Sequence, residues 1–243
     1  MKIEQSEFFG LLQKKEPLDP ALGARIVSVP GIGSKLEHPL CVECPYLPQL
    51  NALYNRRLKA LSERLAREVE AENWKGVIAL YARPFRFEAL LDYGAKMDPV
   101  TYWQTLAYCV QDTENFWQAS AVMPHFLSLK PDADRHEMMG PEEREILAAF
   151  PETVTVYRGC RWHNKRGWSW TMVPGVAEWF ARRFNKSGFV LTGTVARKDI
   201  IAYWDSRGES EVFVRPESVT ITKTRAITPG KGKPAWNPGA KRT

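Results

Sequence analysis

Long apolar runs are missing from this sequence. No stretch of its 243 residues approaches the roughly 18 consecutive apolar residues that a membrane-spanning helix needs. The first five residues, Met1-Lys2-Ile3-Glu4-Gln5, also lack the basic and then apolar pattern of a secretory signal. We therefore expect a cytoplasmic protein without a membrane partner, unless a signal that cannot be recognised delivers it into a host or target cell.

Cysteine and histidine are scarce, with four residues of each. Cys41 and Cys44 form a Cys-x-x-Cys pair, and His38 precedes the pair by three residues. A tetrahedral zinc site needs a fourth ligand, and no second pair of this kind follows nearby. A redox pair would be expected beside a βαβ pattern, whereas this one is followed by Pro45 and a helical segment. We expect reduced thiols and no bound metal, and the spacing of the histidines supports no hydrolase.

Positive charge exceeds negative charge in the chain. Lysine and arginine outnumber the acidic residues by 34 to 28, which gives a net charge of +6 and a pI near 9.1. This excess favours an anionic partner, such as the phosphates of a dinucleotide or a nucleic acid, without choosing between them. With 44% hydrophobic and 26% charged residues, the composition is typical of a globular protein of one large or two small domains.

The first 150 residues are expected to be mainly helical. After a loop-rich start at residues 1–47, apolar residues recur at intervals of three and four from Leu47 to about Asn73, which predicts a long amphipathic helix. Further helices are predicted near residues 74–82, 85–94, 99–111, 113–124 and 141–149. This N-terminal region would pack against the rest of the chain, recognise a target or bind a partner such as an antitoxin or inhibitor protein. Its core is expected to contain Trp103, Tyr108, Phe116 and Trp117.

The composition changes to β-branched and aromatic runs after Pro151. These runs predict strands at residues 153–158, 167–171, 188–196, 199–204, 211–214 and 218–227. One helix, opened by proline, is predicted from Pro174 to Phe184. The fold class is therefore α+β, with a helical region at 1–150 and a β-rich core at 151–228. Residues 229–243 contain four basic residues and no acidic one, which predicts a basic flexible tail.

Three short motifs in the β-rich part each place residues of special chemistry beside a strand-like run. They are Tyr157-Arg158-Gly159, Ser169-Trp170-Thr171 and Glu209-Ser210-Glu211. In a strand, Glu209 and Glu211 would point to the same side. Two like charges held that close repel each other unless a substrate or a cation lies between them. The glutamate pair therefore indicates a functional site.

In this order, the three motifs resemble those of the arginine-serine-glutamate class of mono-ADP-ribosyltransferases, the cholera-toxin-like class in its bacterial and phage form. The resemblance covers roughly the last 95 residues, within the usual size of a domain. Each motif alone occurs by chance, so their order and setting carry the likeness. The resemblance implies a split two-sheet β core at 151–228, NAD as the substrate that donates ADP-ribose, and no metal.

The resemblance also implies how NAD is held. Its glycosidic bond breaks through an oxocarbenium-like sugar, so the enzyme must fix the diphosphate and the nicotinamide and stabilise the developing cation. Arg158 would bind the diphosphate with its planar guanidinium. Tyr157 and Gly159 would contact the cofactor, the glycine because it has no Cβ. Glu211 would bond the hydroxyl of the nicotinamide ribose and be essential for transfer.

The other motif residues would support Glu211 and select the acceptor. Ser169 would hold Glu211 by a hydrogen bond. Thr171, at a position where many relatives have serine, would brace the strand that carries Glu211 at the edge of the NAD site. Glu209 would orient and deprotonate the acceptor. Because arginine stays protonated at ordinary pH and needs a base, arginine on a target protein is the expected acceptor. A toxin, a phage-encoded modifier and a regulator are all compatible with this activity.

Two alternatives remain. A nucleic-acid acceptor, RNA or DNA, would fit the positive charge, the basic tail and the aromatic side chains of Trp162, Trp168 and Trp170, on which bases could stack. A module that binds NAD or a partner without catalysis is the other alternative. The intact set of Arg158, Ser169 and Glu211 argues against it.

Overall fold

A computed structural model of the chain describes residues 10, 14–113, 119–183 and 187–228. The chain divides into two compact units, Met1–Asn115 and Phe116–Thr243. A domain boundary near residue 150 stays a prediction, and the tail predicted at 229–243 lies outside the described residues. Within the described residues, no helix is long and apolar enough to cross a membrane.

The first unit contains a small sheet that the sequence did not indicate. Helix α1 (Pro20–Gly23) is followed by β1 (Ile26–Val29), β2 (Gly33–His38) and β3 (Cys41–Glu43), which pair in the antiparallel order β1-β2-β3. We expected only loops here, because the strands are short and proline and glycine interrupt residues 1–47. Pairing across tight turns defines them, and a pattern of side chains along one strand does not reveal that pairing.

Four helices follow in the described part of the first unit. They are α2 (Asn51–Glu70), α3 (Trp74–Leu80), α4 (Arg86–Tyr93) and α5 (Pro99–Asp112). These bounds confirm the helices predicted from apolar spacing. The start of α5 shows why, since the Asp98 side chain accepts a hydrogen bond from the Thr101 amide at 3.0 Å and Pro99 occupies the first turn.

The prediction that Tyr108 belongs to the helical core is wrong. Trp103 is fully buried in α5, but Tyr108 is 43% exposed and lies under the Arg86 guanidinium, 4.8 Å from its ring centre. Tyr108 lies on the outer face of α5, between the buried Ala107 and Cys109. Phe116 and Trp117 lie outside the described residues.

The second unit begins with short helices and continues as a sheet. The helices are α6 (Met123–Ser128) and α7 (Pro141–Ala148), with a 3-10 segment between them at Asp132–Met138. The prediction at 113–124 falls partly on residues 114–118, which lie outside the described ranges. The helix described nearest to it, α6, begins only at Met123.

Six antiparallel strands form the sheet of the second unit, which confirms the α+β class. They are β4 (Thr153–Cys160), β5 (Ser169–Thr171), β6 (Gly188–Ala196), β7 (Ile200–Trp204), β8 (Glu211–Val214) and β9 (Thr220–Ile227). The order across the sheet is β7-β8-β5-β4-β6-β9. Strands β6 and β8 have the bounds that the sequence predicts.

The sheet has a narrow junction at its centre. Strand β4 pairs with β6 over the 8 residues of its length, whereas its register with β5 consists of the single pair Tyr157 and Thr171. The sheet therefore consists of two three-stranded halves, β7-β8-β5 and β4-β6-β9, that meet at this pair. Two of the sequence motifs supply the residues of the junction.

Helix α8 (Pro174–Arg182) packs closely on strands β4 and β6. A Cβ atom on Gly159 would lie 1.9 Å from the Ala177 carbonyl oxygen, and one on Gly188 would lie 2.4 Å from the Ala181 carbonyl oxygen. Both alanines are fully buried, and Tyr157 packs against the cluster that contains them. The absence of side chains on β4 and β6 at these positions lets the helix backbone approach the sheet.

We expect Gly159→Ala to lower the free energy of unfolding by about 1–3 kcal/mol or more, because the new methyl group would overlap helix backbone that cannot easily move. Chemical denaturation measures this change. Gly140→Ala is the matched control in the same unit, since its Cβ would lie 3.6 Å from the nearest atom, the Glu143 Oε2. The control should cost less than about 1 kcal/mol, as expected for a helix N-cap position. Equal stability of the Gly159 variant and wild type would contradict the packing argument.

Candidate functional site

The three sequence motifs meet at the junction of the sheet. Thr171 on β5 pairs with Tyr157 on β4 on one side and with Glu211 on β8 on the other. The register of three strands therefore brings together residues that are far apart in the chain. Arg158 follows Tyr157 directly, and Ser169 lies two residues before Thr171 on the same strand.

Glu211 is a buried carboxylate held by a hydroxyl group. The Ser169 Oγ donates a hydrogen bond to the Glu211 Oε1 at 2.5 Å across 42 residues of sequence, which is the hydrogen bond expected from the motifs. Glu211 is 8% exposed, and burial raises the pKa of its carboxyl group. The hydrogen bond from Ser169 and the charges of Arg207 and Arg158 oppose this shift by favouring the ionised form.

Thr171 braces the segment that carries the first glutamate. Its Oγ1 donates a hydrogen bond to the Glu209 carbonyl oxygen at 2.5 Å and accepts one from the Val173 amide at 3.0 Å. The next residue, Met172, donates its amide to the Ser210 carbonyl oxygen at 3.0 Å. The end of β5 and the start of α8 are thereby fixed to the loop before β8. Thr171 performs this bracing with the hydroxyl group that serine would also supply.

Arg158 is partly buried and binds backbone carbonyl groups. Its Nη1 donates to the Ser169 carbonyl oxygen at 2.5 Å, and its Nη2 donates to the Asn164 carbonyl oxygen at 3.1 Å. The buried Nε has no hydrogen-bond partner among the described residues. Burial lowers the pKa of the guanidinium, while the nearby Cys160 and Glu211 raise it. Arg158 therefore ties β4 to β5 and to the loop between them.

Gly167 completes this arrangement, and the motifs did not single it out. An ideal Cβ at Gly167 would lie 2.1 Å from the Arg158 Nη2, so any side chain there would displace the guanidinium. The role in NAD binding that the motifs assign to Arg158 stays a prediction, as do the cofactor contacts of Tyr157 and Gly159. The structure adds two functions in folding: Arg158 braces a loop, and the bare face of Gly159 accommodates α8.

A tight loop presents the two glutamates. The Asp205 Oδ1 accepts hydrogen bonds from the Ser210 amide at 2.9 Å and from the Ser210 hydroxyl at 3.0 Å. The Gly208 amide donates to the Asp205 carbonyl oxygen at 2.8 Å, with Gly208 at a φ of 67° that glycine tolerates. Ser210, at a φ of 44°, lies between the glutamates. These contacts fold residues 205–210 into a compact turn that is tied to β8.

Arg207 supplies a cation between the two glutamates. Its Nη2 lies 3.3 Å from the Glu211 Oε2 and 3.6 Å from the Glu209 Oε2. The Arg207 side chain is 50% exposed, while those of Glu209 and Glu211 are 15% and 11% exposed. Burial raises the pKa of Glu209, and the charge of Arg207 opposes the rise. Sequence reasoning required a cation here and missed that the chain itself provides one two residues before Glu209.

The aromatic residues near the site differ in their exposure. Trp168 and Trp170 are buried, Trp168 stacked on Phe213 and Trp170 donating its Nε1 hydrogen to the Gly167 carbonyl oxygen at 2.9 Å. Neither ring is open to a nucleic-acid base. Trp162 is 74% exposed, with the Lys165 Nζ 4.2 Å from its ring centre.

The cysteine and histidine residues considered as metal ligands lie in the first unit. Cys41 is buried, which raises the pKa of its thiol, and Cys44 is exposed. The His38 Nδ1 accepts a hydrogen bond from the Leu40 amide at 3.1 Å. Within the ranges that the structure describes, no group of three or more His, Cys, Asp or Glu side chains has an arrangement that could hold a metal ion.

Comparison with known proteins yields no relative. The chain matches no protein-family model, no curated protein and no solved structure.

We expect Glu211→Gln to stabilise the protein more at neutral than at acidic pH. The pKa of Glu211 is raised above its ordinary 4.5 in the folded state. The cost of burying the ionised carboxylate is therefore absent below pH 4.5 and complete above the folded-state pKa. Wild type therefore loses stability as pH rises through this window, and the glutamine variant lacks the contribution of Glu211 to this loss. Thermal unfolding between pH 4 and pH 8 should give a difference in melting temperature, variant minus wild type, that increases with pH.

Glu178→Gln is the control for this measurement. Glu178 pairs with Arg225 on β9, the outer strand of the other half of the sheet, and its side chain is 32% exposed. Loss of such an exposed pair changes stability by less than about 1 kcal/mol and should give no increase with pH. A flat or falling difference for Glu211→Gln would contradict a burial penalty on this carboxylate.

Proposed function

We propose that this protein is an NAD-dependent mono-ADP-ribosyltransferase whose acceptor is an arginine side chain on a target protein. The observation that carries the proposal is the Ser169 to Glu211 hydrogen bond at the junction of the sheet. It joins the serine and glutamate motifs, and the Arg158 guanidinium binds the carbonyl oxygen of the same serine. We also assign the two three-stranded halves of the sheet to the split core of this class.

Glu211 has the properties that the transfer step requires. In a weakly hydrated site, a fixed negative charge stabilises the developing oxocarbenium ion more strongly than it would in water. Its Oε1 is engaged by Ser169, so the ribose hydroxyl would bond its Oε2 and replace the Arg207 guanidinium there. Ser169, Arg207 and Arg158 all favour the ionised form that this role needs.

The remaining NAD contacts in the proposal belong to residues around the junction. Tyr157, Gly159 and Thr171 would line the nicotinamide side, and Arg158 would act on the diphosphate. The pairing of Tyr157 with Thr171 supports a common site for them. Arg158 would make a second contribution, because its hydrogen bonds hold the loop between β4 and β5 beside Ser169.

Glu209 supports arginine as the acceptor. Its Oε2 already lies 3.6 Å from a guanidinium, that of Arg207. Burial and the neighbouring Glu211 raise the pKa of Glu209, which makes it a stronger base than an exposed glutamate. A carboxylate of this kind can both orient a guanidinium and accept its proton.

A nucleic-acid acceptor is the second candidate, and one observation favours it. Trp162 presents an exposed ring with Lys165 above it, a pair that suits base stacking and phosphate attraction. Trp168 and Trp170 no longer support this candidate, because both are buried. The arginine acceptor is therefore the better supported of the two.

We expect wild-type protein, incubated with NAD labelled in its adenylate part and a cell lysate, to release nicotinamide and to label protein. The label should be removed by protease and not by nuclease. Glu211→Gln should reduce the rate about a hundredfold or more, because it removes the charge and keeps the volume. Glu178→Gln should retain the wild-type rate, since its carboxylate pairs with Arg225 and has no role in the proposed reaction.

Three results would count against the proposal. Wild-type turnover in the Glu211 variant would remove its central residue. Label that nuclease releases would replace the arginine acceptor by the nucleic-acid candidate. Absence of both NAD binding by calorimetry and nicotinamide release would leave the protein without the proposed activity.

Glu209→Gln should separate transfer from hydrolysis. A protonated guanidinium needs a base, whereas water attacks an oxocarbenium-like sugar with less help, so the variant should lose labelled arginine and keep slow release of nicotinamide. Both products can be followed in one reaction by chromatography. Equal loss of both activities would show that Glu209 supports the NAD site itself.

A further inference from the structure

We propose that Arg207 is a site of self-modification, the first arginine to which the protein transfers ADP-ribose. This inference rests on the proposed function and extends it to a particular acceptor within the chain. Its basis is the position of the Arg207 Nη2, 3.3 Å from the Glu211 Oε2 and 3.6 Å from the Glu209 Oε2. The guanidinium thus touches both the carboxylate assigned to the ribose and the carboxylate assigned to the acceptor.

The loop holds Arg207 close to the reacting position. Hydrogen bonds from Ser210 and Gly208 to Asp205 close the turn that carries it, and the turn leads directly into β8. The Arg207 side chain is half exposed, so it has room to move aside when NAD enters. Because it is tethered only four residues before Glu211, its effective concentration at the site exceeds that of a dissolved acceptor.

NAD binding changes the partner of Arg207 without removing it from the site. The ribose hydroxyl takes the Glu211 Oε2, which Arg207 gives up, and the guanidinium stays with Glu209. One Nη atom then faces C1′ of the ribose, the carbon next to the one that bears the bound hydroxyl. The acceptor nitrogen, its base and the electrophilic carbon are therefore neighbours.

The reaction balances without any further reagent. The bond between C1′ and the nicotinamide nitrogen breaks, and its electron pair leaves with nicotinamide, which becomes neutral. An Nη atom of Arg207 forms the new bond to C1′ as Glu209 takes one proton from the guanidinium. The product is an ADP-ribosylated guanidinium that retains its positive charge, and the proton passes from Glu209 to solvent.

Arg225 provides a matched arginine for the test. Its side chain is 47% exposed, close to the 50% of Arg207, and it also pairs with a glutamate, Glu178. It lies on β9, which is the outer strand of the other half of the sheet. Exposure and ion pairing are thus similar in the two arginines, and only Arg207 lies beside Glu209 and Glu211.

The experiment is incubation of the full chain with labelled NAD in the absence of any target, followed by peptide mapping by mass spectrometry. We expect ADP-ribose on Arg207 in wild type and no self-labelling in Arg207→Lys or Glu211→Gln, whereas Arg225→Lys retains it. Mixing active protein with Glu211→Gln of different tag length should leave the inactive copy unlabelled if the reaction is intramolecular. The map of the wild-type protein is independent of how well any variant folds.

The outcomes distinguish this inference from the proposed function. Nicotinamide release or labelling of lysate protein without ADP-ribose on Arg207 would overturn the inference and leave the function standing. Label on another arginine, or transfer to the inactive copy at the same rate, would overturn it as well. Absence of nicotinamide release with both wild type alone and wild type supplied with free arginine would remove the function, and the inference would fall with it.

Discussion

The buried carboxylate of Glu211 is the constraint on which the candidate site depends. Removing a charge from water is costly, and a fold keeps it only with nearby hydrogen bonds and opposite charges. The Ser169 hydroxyl at 2.5 Å and the Arg207 guanidinium at 3.3 Å supply these contacts. Both depend on the register of β5 against β8 and on the turn at residues 205–210. The narrow junction of the sheet is thus organised around one charge.

Arg158 and Arg207 show how position determines what an arginine does. Arg158 is partly buried, and its two terminal nitrogens donate to backbone carbonyl groups, so it fixes the loop between β4 and β5. Arg207 is half exposed and bound to two carboxylates, so it can be exchanged for another group. The Arg158 guanidinium lies so close to Gly167 that a Cβ atom at that position would overlap it. The Arg207 side chain is more exposed than those of the two glutamates that it contacts.

Patterns within single segments predicted most of the helices and strands. The features that these patterns did not predict depend on contacts between segments that are distant in sequence. Apolar spacing located α2 to α5, and β-branched runs located β6 and β8. An element that is buried on one face has apolar residues at regular intervals in its sequence. The strands of the sheet β1-β2-β3 are too short to show such a pattern, and they are recognised only by their pairing with each other. The close contact of Gly159 with α8 and the burial of Trp168 and Trp170 depend on segments distant in sequence. Arg207 was overlooked because a flanking charge is common in a turn.

The energetic cost of the site and its use in the proposed reaction have one origin. Burial that raises the pKa of Glu211 also excludes the water that would screen its charge from a developing cation. The protein therefore gives up stability at the position where a fixed charge acts most strongly. Arg207 limits that loss while no substrate is bound, since it pairs with both carboxylates. The ribose hydroxyl of NAD would replace the contact of Arg207 with Glu211, and a guanidinium would remain beside Glu209, so substrate binding would not leave the two glutamates uncompensated.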